Sequence, residues 1–142
     1  MSGLPSLAVL EGAWLLSRII LHEDGARDEL EGEAKFHRSG PRLIHDEEGW
    51  LTSERAAAPM KAKRRYVWSV NGNRIDIAFE DMRPFHSIPI GAATPGTTYL
   101  CPPDRYEVQY DFQKFPEWSS TWIVEGPRKS YRMTSHYVRK SE

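Results

Sequence analysis

Apolar and polar residues alternate in short runs along most of the chain, and Gly, Pro, Asn and Asp punctuate the runs. A period of two marks a strand with one buried face. Helical periodicity is nearly absent; only Pro5 to Leu10 reads as a short helical turn. The alternation predicts eight strands, at about Gly12–Glu23, Glu31–Arg38, Arg42–Leu51, Met60–Val70, Arg74–Glu80, Tyr106–Gln113, Trp118–Glu125 and Ser130–Arg139. Asn71-Gly72-Asn73 joins the fourth to the fifth, and Asn-Gly between β-rich runs is a strong hairpin signal. Arg55 to Pro59 reads as a loop, and Pro84, Pro89, Gly91, Pro95 and Gly96 read as one long irregular loop. Eight strands with mostly short turns predict an all-β fold, an eight-stranded antiparallel up-and-down barrel behind a short N-terminal helical turn. A barrel removes exposed strand edges and is preferred over an open sandwich. Its girth suits one small ligand.

Sorting residues by parity gives that barrel an unusual interior. Trp14, Leu16, Arg18, Ile20 and His22 share one face; Ala62, Arg64, Tyr66 and Trp68 share another. Ile75, Ile77 and Phe79 lead on to Asp81; Asp104, Tyr106, Val108, Tyr110 and Phe112 go together. Trp118, Ser120, Trp122 and Val124 form a face, as do Tyr131, Met133, Ser135, Tyr137 and Arg139. The aromatic rings argue that these faces point inward, yet they carry Arg and Asp too. Buried charge is costly unless paired. The interior is therefore either a self-satisfied core or a polar cavity. A cavity with Arg forks and aromatic walls suits an amphipathic organic anion.

Composition bounds the alternatives. The 142 residues fit one domain, 1–142, with 39% hydrophobic and 27% charged residues, a globular balance. The formal net charge of -1 argues against a nucleic-acid partner. Charge is uneven, with an acidic first part up to Pro59 and a basic remainder, as two faces of different sign would give. No uncharged apolar run is long enough for a transmembrane helix, so no membrane association is expected. Glu11 and Arg18 break up the apolar N-terminus, which lacks the form of an export signal, and a cytoplasmic location is expected.

Short landmarks carry two resemblances. Gly12-Ala13-Trp14 after a helical turn resembles the G-x-W opening of lipocalins and the wider calycin superfamily. That likeness implies a turn plugging one barrel end and a Trp packed against a late basic residue, Arg139 or Arg132. Over nearly the whole chain the order is Gly12-Ala13-Trp14 with Arg18, Arg64-Arg65-Tyr66-Val67-Trp68, Asp81-Met82-Arg83-Pro84-Phe85-His86, Cys101 with Asp104 and Tyr106, Gly126-Pro127-Arg128-Lys129-Ser130-Tyr131, and Tyr137-Val138-Arg139. This order resembles domain-of-unknown-function family 6314, which implies the fold and brings no activity. Met82 stands where that pattern has Gly, which argues against a positive φ there; Ser130 stands where it has Asp.

The expected ligand-binding set is Arg18, Arg64, Tyr66, Trp68, Asp81, Arg83, His86, Asp104, Tyr106, Trp122 and Tyr131, with no catalytic residue assigned. Asp81, Arg83 and His86 form the most site-like local cluster, with Asp81 placed to hold Arg83 or to orient His86. An enzyme of lyase or isomerase type is the alternative, with Arg64 and Arg18 anchoring a carboxylate, Asp104 or Asp81 as base and Tyr106 as acid. Cys101 reads as a small buried thiol rather than as the nucleophile of a Cys–His pair with His86. Five His residues without H-x-H or H-E-x-x-H spacing predict no metal site. His136 should face outward, which argues against a nitrobindin-like haem site, and no cofactor is expected. Lys61, Lys63 and Arg65 face away from Arg64 and read as a solvated strip. A homodimer through an outer face with Ile19, Leu21 and Ile123 is a third reading.

Overall fold

The computed structural model describes residues 3–140. A 3-10 turn, Leu7–Leu10, precedes ten strands. They are β1 (Gly12–His22), β2 (Arg27–Ser39), β3 (Arg42–Ser53), β4 (Met60–Asn71), β5 (Arg74–Phe79), β6 (Pro84–Pro89), β7 (Gly96–Cys101), β8 (Asp104–Asp111), β9 (Trp118–Glu125) and β10 (Ser130–Arg139). All ladders are antiparallel, in the order β6-β5-β4-β3-β2-β1-β10-β9-β8-β7. The sheet curls into a barrel that is hydrogen-bonded all round except between β6 and β7, which meet through side chains.

Ten strands replace the expected eight. The extra two come from the stretch expected to be one irregular loop. Pro84 and Pro89 bracket β6, while Pro95 and Pro102 flank β7. Proline is tolerated at strand ends and on edge strands, where no ladder bond is needed from its nitrogen. β6 and β7 are the two edges of this sheet, so the prolines that looked like breakers are compatible with both.

Parity survives into burial. Trp14, Leu16 and Arg18 are buried on β1, Val108 and Tyr110 on β8, all four even-numbered residues from Trp118 to Val124 on β9, and Met133, Ser135 and Tyr137 on β10. The intervening His136 is exposed, as expected. On the outer face Leu15, Leu21, Ile123 and Val138 are exposed and Ile19 is half-buried. Gly32 and Gly49 sit opposite each other where β2 crosses β3. A Cβ on either would run into the other strand's backbone, so this close approach requires glycine.

One end of the barrel is shut. Leu4, Leu7 and Leu10 are buried over it, and the fully buried Trp14 donates from Nε1 to the Leu10 carbonyl (2.9 Å). The Arg139 guanidinium lies 3.9 Å from the Trp14 ring centroid and donates to the carbonyls of Glu11 (2.9 Å) and Val9 (2.8 Å). Arg139 is thus the basic partner of Trp14, and Arg132 is exposed on the outside. The other end is ringed by half-buried rings, among them Tyr66, Phe79, Tyr99, Tyr106 and Tyr131.

Candidate ligand-binding site

The interior divides into two regions. Midway along the barrel, Arg18 on β1 meets Glu47 on β3, Nη2 to Oε1 at 2.7 Å, with both side chains about 5% exposed or less. Arg18 Nε donates to Ser135 Oγ on β10 (2.7 Å). The other Glu47 oxygen, Oε2, accepts from the Tyr137 hydroxyl and from His45 Nε2 (2.9 Å). His45 Nδ1 accepts from Trp68 Nε1 (3.1 Å), which assigns the His45 proton to Nε2. Burial alone would raise the Glu47 pKa, but the Arg18 charge and the His45 and Tyr137 hydrogen bonds outweigh it and hold it below the usual carboxylate range. Burial would likewise lower Arg18, and Glu47 more than offsets it. Phe36 stacks on His45 (4.2 Å between centroids) and Trp118 on Tyr137 (3.8 Å). In this half the buried charges are paired with each other and with hydroxyl, imidazole and indole partners.

The open end is different. Arg64 is exposed at the rim of β4, on the side that faces Trp122, with its guanidinium 5.7 Å from that ring centroid and its Nη1 donating to the Tyr66 hydroxyl (3.3 Å). Among the described residues no carboxylate lies within 4.0 Å of Arg64. Across the mouth Lys129 Nζ donates to the Tyr106 hydroxyl (2.6 Å) and lies 3.5 Å from Asp104. Burial raises the Tyr131 pKa, against the opposing influence of the Arg64 and Lys129 charges, and the half-buried Tyr131 ring lies 6.0 Å from His22. Below this collar lies a cavity of about 20 Å³, lined by Tyr66, Phe85, His86, Tyr110, Trp118 and Trp122 as well as by the Arg18–Glu47 network. That is room for about one water-sized group.

The expected residues therefore separate into three groups. Arg64, Tyr66, Asp104, Tyr106, Trp122 and Tyr131 gather at the open end. Arg18 and Trp68 belong to the paired network, so Arg18 is no free anchor for a ligand carboxylate; Glu47 already occupies it. Asp81 and Arg83 pair with each other on an exposed turn (2.8 Å), and Arg83 lies over Phe79. His86 points away from them, Nε2 to the Tyr110 hydroxyl at 2.7 Å, so Asp81 does not orient it. Burial pushes the His86 pKa down to about 3, leaving it neutral near pH 7. Cys101 is exposed at the end of β7, contrary to the buried thiol expected, and His86 is partnered by Tyr110 rather than by it. Met82 does adopt a positive φ, 73°, against the expectation set by its side chain.

Glu47 and His45 escaped sequence reasoning. They sit beside Asp46 and Glu48, where an acidic run looks solvated. The signal that finds them is parity: Leu43, His45, Glu47, Gly49 and Leu51 alternate with the exposed Trp50.

These features define an antiparallel β-barrel with a buried ion-pair core and a cationic, aromatic open end. Residues 10–139 match a family of unknown function, DUF6314, and the chain belongs to that family. No curated protein matches it. Among solved structures, the S-type phycobiliprotein lyase of Guillardia theta is similar in fold, with a TM-score of 0.64 and 9% identity over 93% of this chain and 89% of that one. A de novo designed fluorescence-activating β-barrel is also similar, with a TM-score of 0.52 and 11% identity over 96% and 99% of the two chains. No helix among the described residues is long and apolar enough to cross a membrane.

Proposed function

We propose that the protein binds a small amphipathic molecule at the open end of its barrel, with an anionic group between Arg64 and Lys129 and an apolar body against the aromatic collar. The observation that carries this is Arg64. Its guanidinium lies over Trp122 at the rim and has no carboxylate partner among the described residues, unlike Arg18. A solvent-accessible cation over a ring at the rim, beside phenols, is an arrangement that recognises a carboxylate, sulfonate or phosphate attached to a flat body. The likeness in fold to a phycobiliprotein lyase and to a barrel designed to activate fluorescence supports a small-molecule reading. The small interior volume puts the ligand body in the mouth, among Tyr66, Tyr106, Tyr131 and Trp122, rather than in the core.

Turnover is the second reading, because Glu47 touches both His45 and Tyr137 beside the cavity. Arg18 holds that carboxylate ionised and its oxygens are already taken, which makes it a poor base and favours binding over catalysis.

Titration with 8-anilinonaphthalene-1-sulfonate, an aromatic anion, tests the proposal. Wild type should give saturable, blue-shifted fluorescence. Arg64→Gln and Lys129→Met should each weaken the affinity about tenfold, as loss of a charge-assisted contact predicts, with the melting temperature retained. Affinity indifferent to both substitutions, or no saturable binding, overturns the proposal.

A further inference from the structure

Two buried ring nitrogens, His86 Nδ1 and Trp118 Nε1, belong to cavity-lining side chains and have no hydrogen-bond partner. Tyr110 is buried on β8, and burial raises its pKa, so the phenol keeps its proton. The hydroxyl's one hydrogen-bond partner is His86 Nε2 on β6, at 2.7 Å. The neutral pair carries two hydrogens and its shared bond uses only one, so the other, on His86 Nδ1 or on the phenol, has no acceptor in the protein. No protein group reaches that Nδ1, and none reaches the indole Nε1 of Trp118. Both side chains line the same cavity of about 20 Å³. Its walls are otherwise rings, Ile77, Ser120 and the Arg18–Glu47 network, and none of them offers an acceptor within hydrogen-bond distance of either nitrogen. Native interiors leave few buried donors unpaired, so each such group calls for a partner.

We infer that this cavity is a subsite for one acceptor atom, a carbonyl-type oxygen, at the inner end of the ligand whose anionic end lies at Arg64 and Lys129. This rests on the proposed binding function and deepens it by naming the substrate class. The ligand is a compact aromatic acid with a carbonyl group opposite its acidic group. Tyr66 and Trp122 belong both to the collar and to the cavity wall, so a rigid body passing between them joins the two ends. A site with buried donors discriminates against a shape-matched apolar analogue, because that analogue leaves the donors unpaired.

Calorimetric titration with 4-acetylbenzoate and its apolar shape analogue 4-isopropylbenzoate tests the inference. Wild type should bind the acetyl compound at least tenfold more tightly, although the isopropyl compound is the more hydrophobic. His86→Leu should abolish or reverse that preference, and Arg64→Gln should weaken both compounds alike. Trp118→Phe keeps a ring against Tyr137 while deleting the indole N–H. It should reduce the preference too, and it serves should the His86 variant fail to fold. Equal or tighter binding of the isopropyl compound to wild type overturns the subsite and leaves the mouth proposal standing. Binding of neither compound overturns both.

Discussion

Arg18 shows how far a single residue can be understood from sequence. Its place on the Trp14–Leu16 face of β1 predicted that it points inward, and it does. What alternation on β1 could not reveal was its partner, which lies on another strand inside an acidic run. The pairing depends on the β2–β3 and β1–β2 registers, and those are set by tertiary packing. Removing one member of a buried pair strands the other charge. Arg18→Met should therefore destabilise the protein by about 3–5 kcal/mol, whereas Arg18→Met combined with Glu47→Gln should cost much less than the sum of the single changes. Urea unfolding of the four proteins closes that cycle. A single-variant cost below about 1 kcal/mol would show that the network does not hold the core.

At the scale of elements, most strands were legible because one buried face imposes a period of two; β9 and β10 lie where alternation puts them. Edge strands give a weaker signal. β6 and β7 are only six residues each, and their flanking prolines are also loop punctuation, so local chemistry could not separate the two outcomes. The turn between β5 and β6 was misjudged for a related reason. Met82 at φ 73° is held there by its surroundings: its N–H donates to the Phe79 carbonyl (2.8 Å), while the Phe79 N–H donates to the carbonyl of the next residue, Arg83 (2.9 Å). A side chain in that region costs about 1 kcal/mol relative to glycine. Met82→Gly should accordingly leave stability unchanged or raise it by up to about 1 kcal/mol, partly offset by the freer unfolded chain. Chemical denaturation reads this directly, and a clear loss would mean that the exposed methionine makes contacts worth more than its strain.

The molecule as a whole titrates through groups buried in unusual states. His86, at about 3 in the fold, binds a proton near 6.5 once unfolded. The fold loses nothing to it above about pH 6.5 and is progressively destabilised as the pH falls from there towards 3, by about 1.4 kcal/mol per unit. Glu47, held low, adds its own loss only below the ordinary carboxylate range, about pH 4.3. Between pH 7 and pH 5 the histidine effect therefore stands apart. His86→Gln should shrink the fall in melting stability over that interval by about 2 kcal/mol, and an unchanged slope would place the proton-sensitive group elsewhere. The barrel class was legible because inward faces recurred on strand after strand, but its strand count was not, since closure is decided by whether the last two edges meet. Here they meet without main-chain bonds. A cylinder stitched along its whole circumference has a fixed girth, because widening it means tearing a ladder. This one carries an unlaced join, where side-chain contact such as Phe85 against Tyr99, and no ladder, sets the girth.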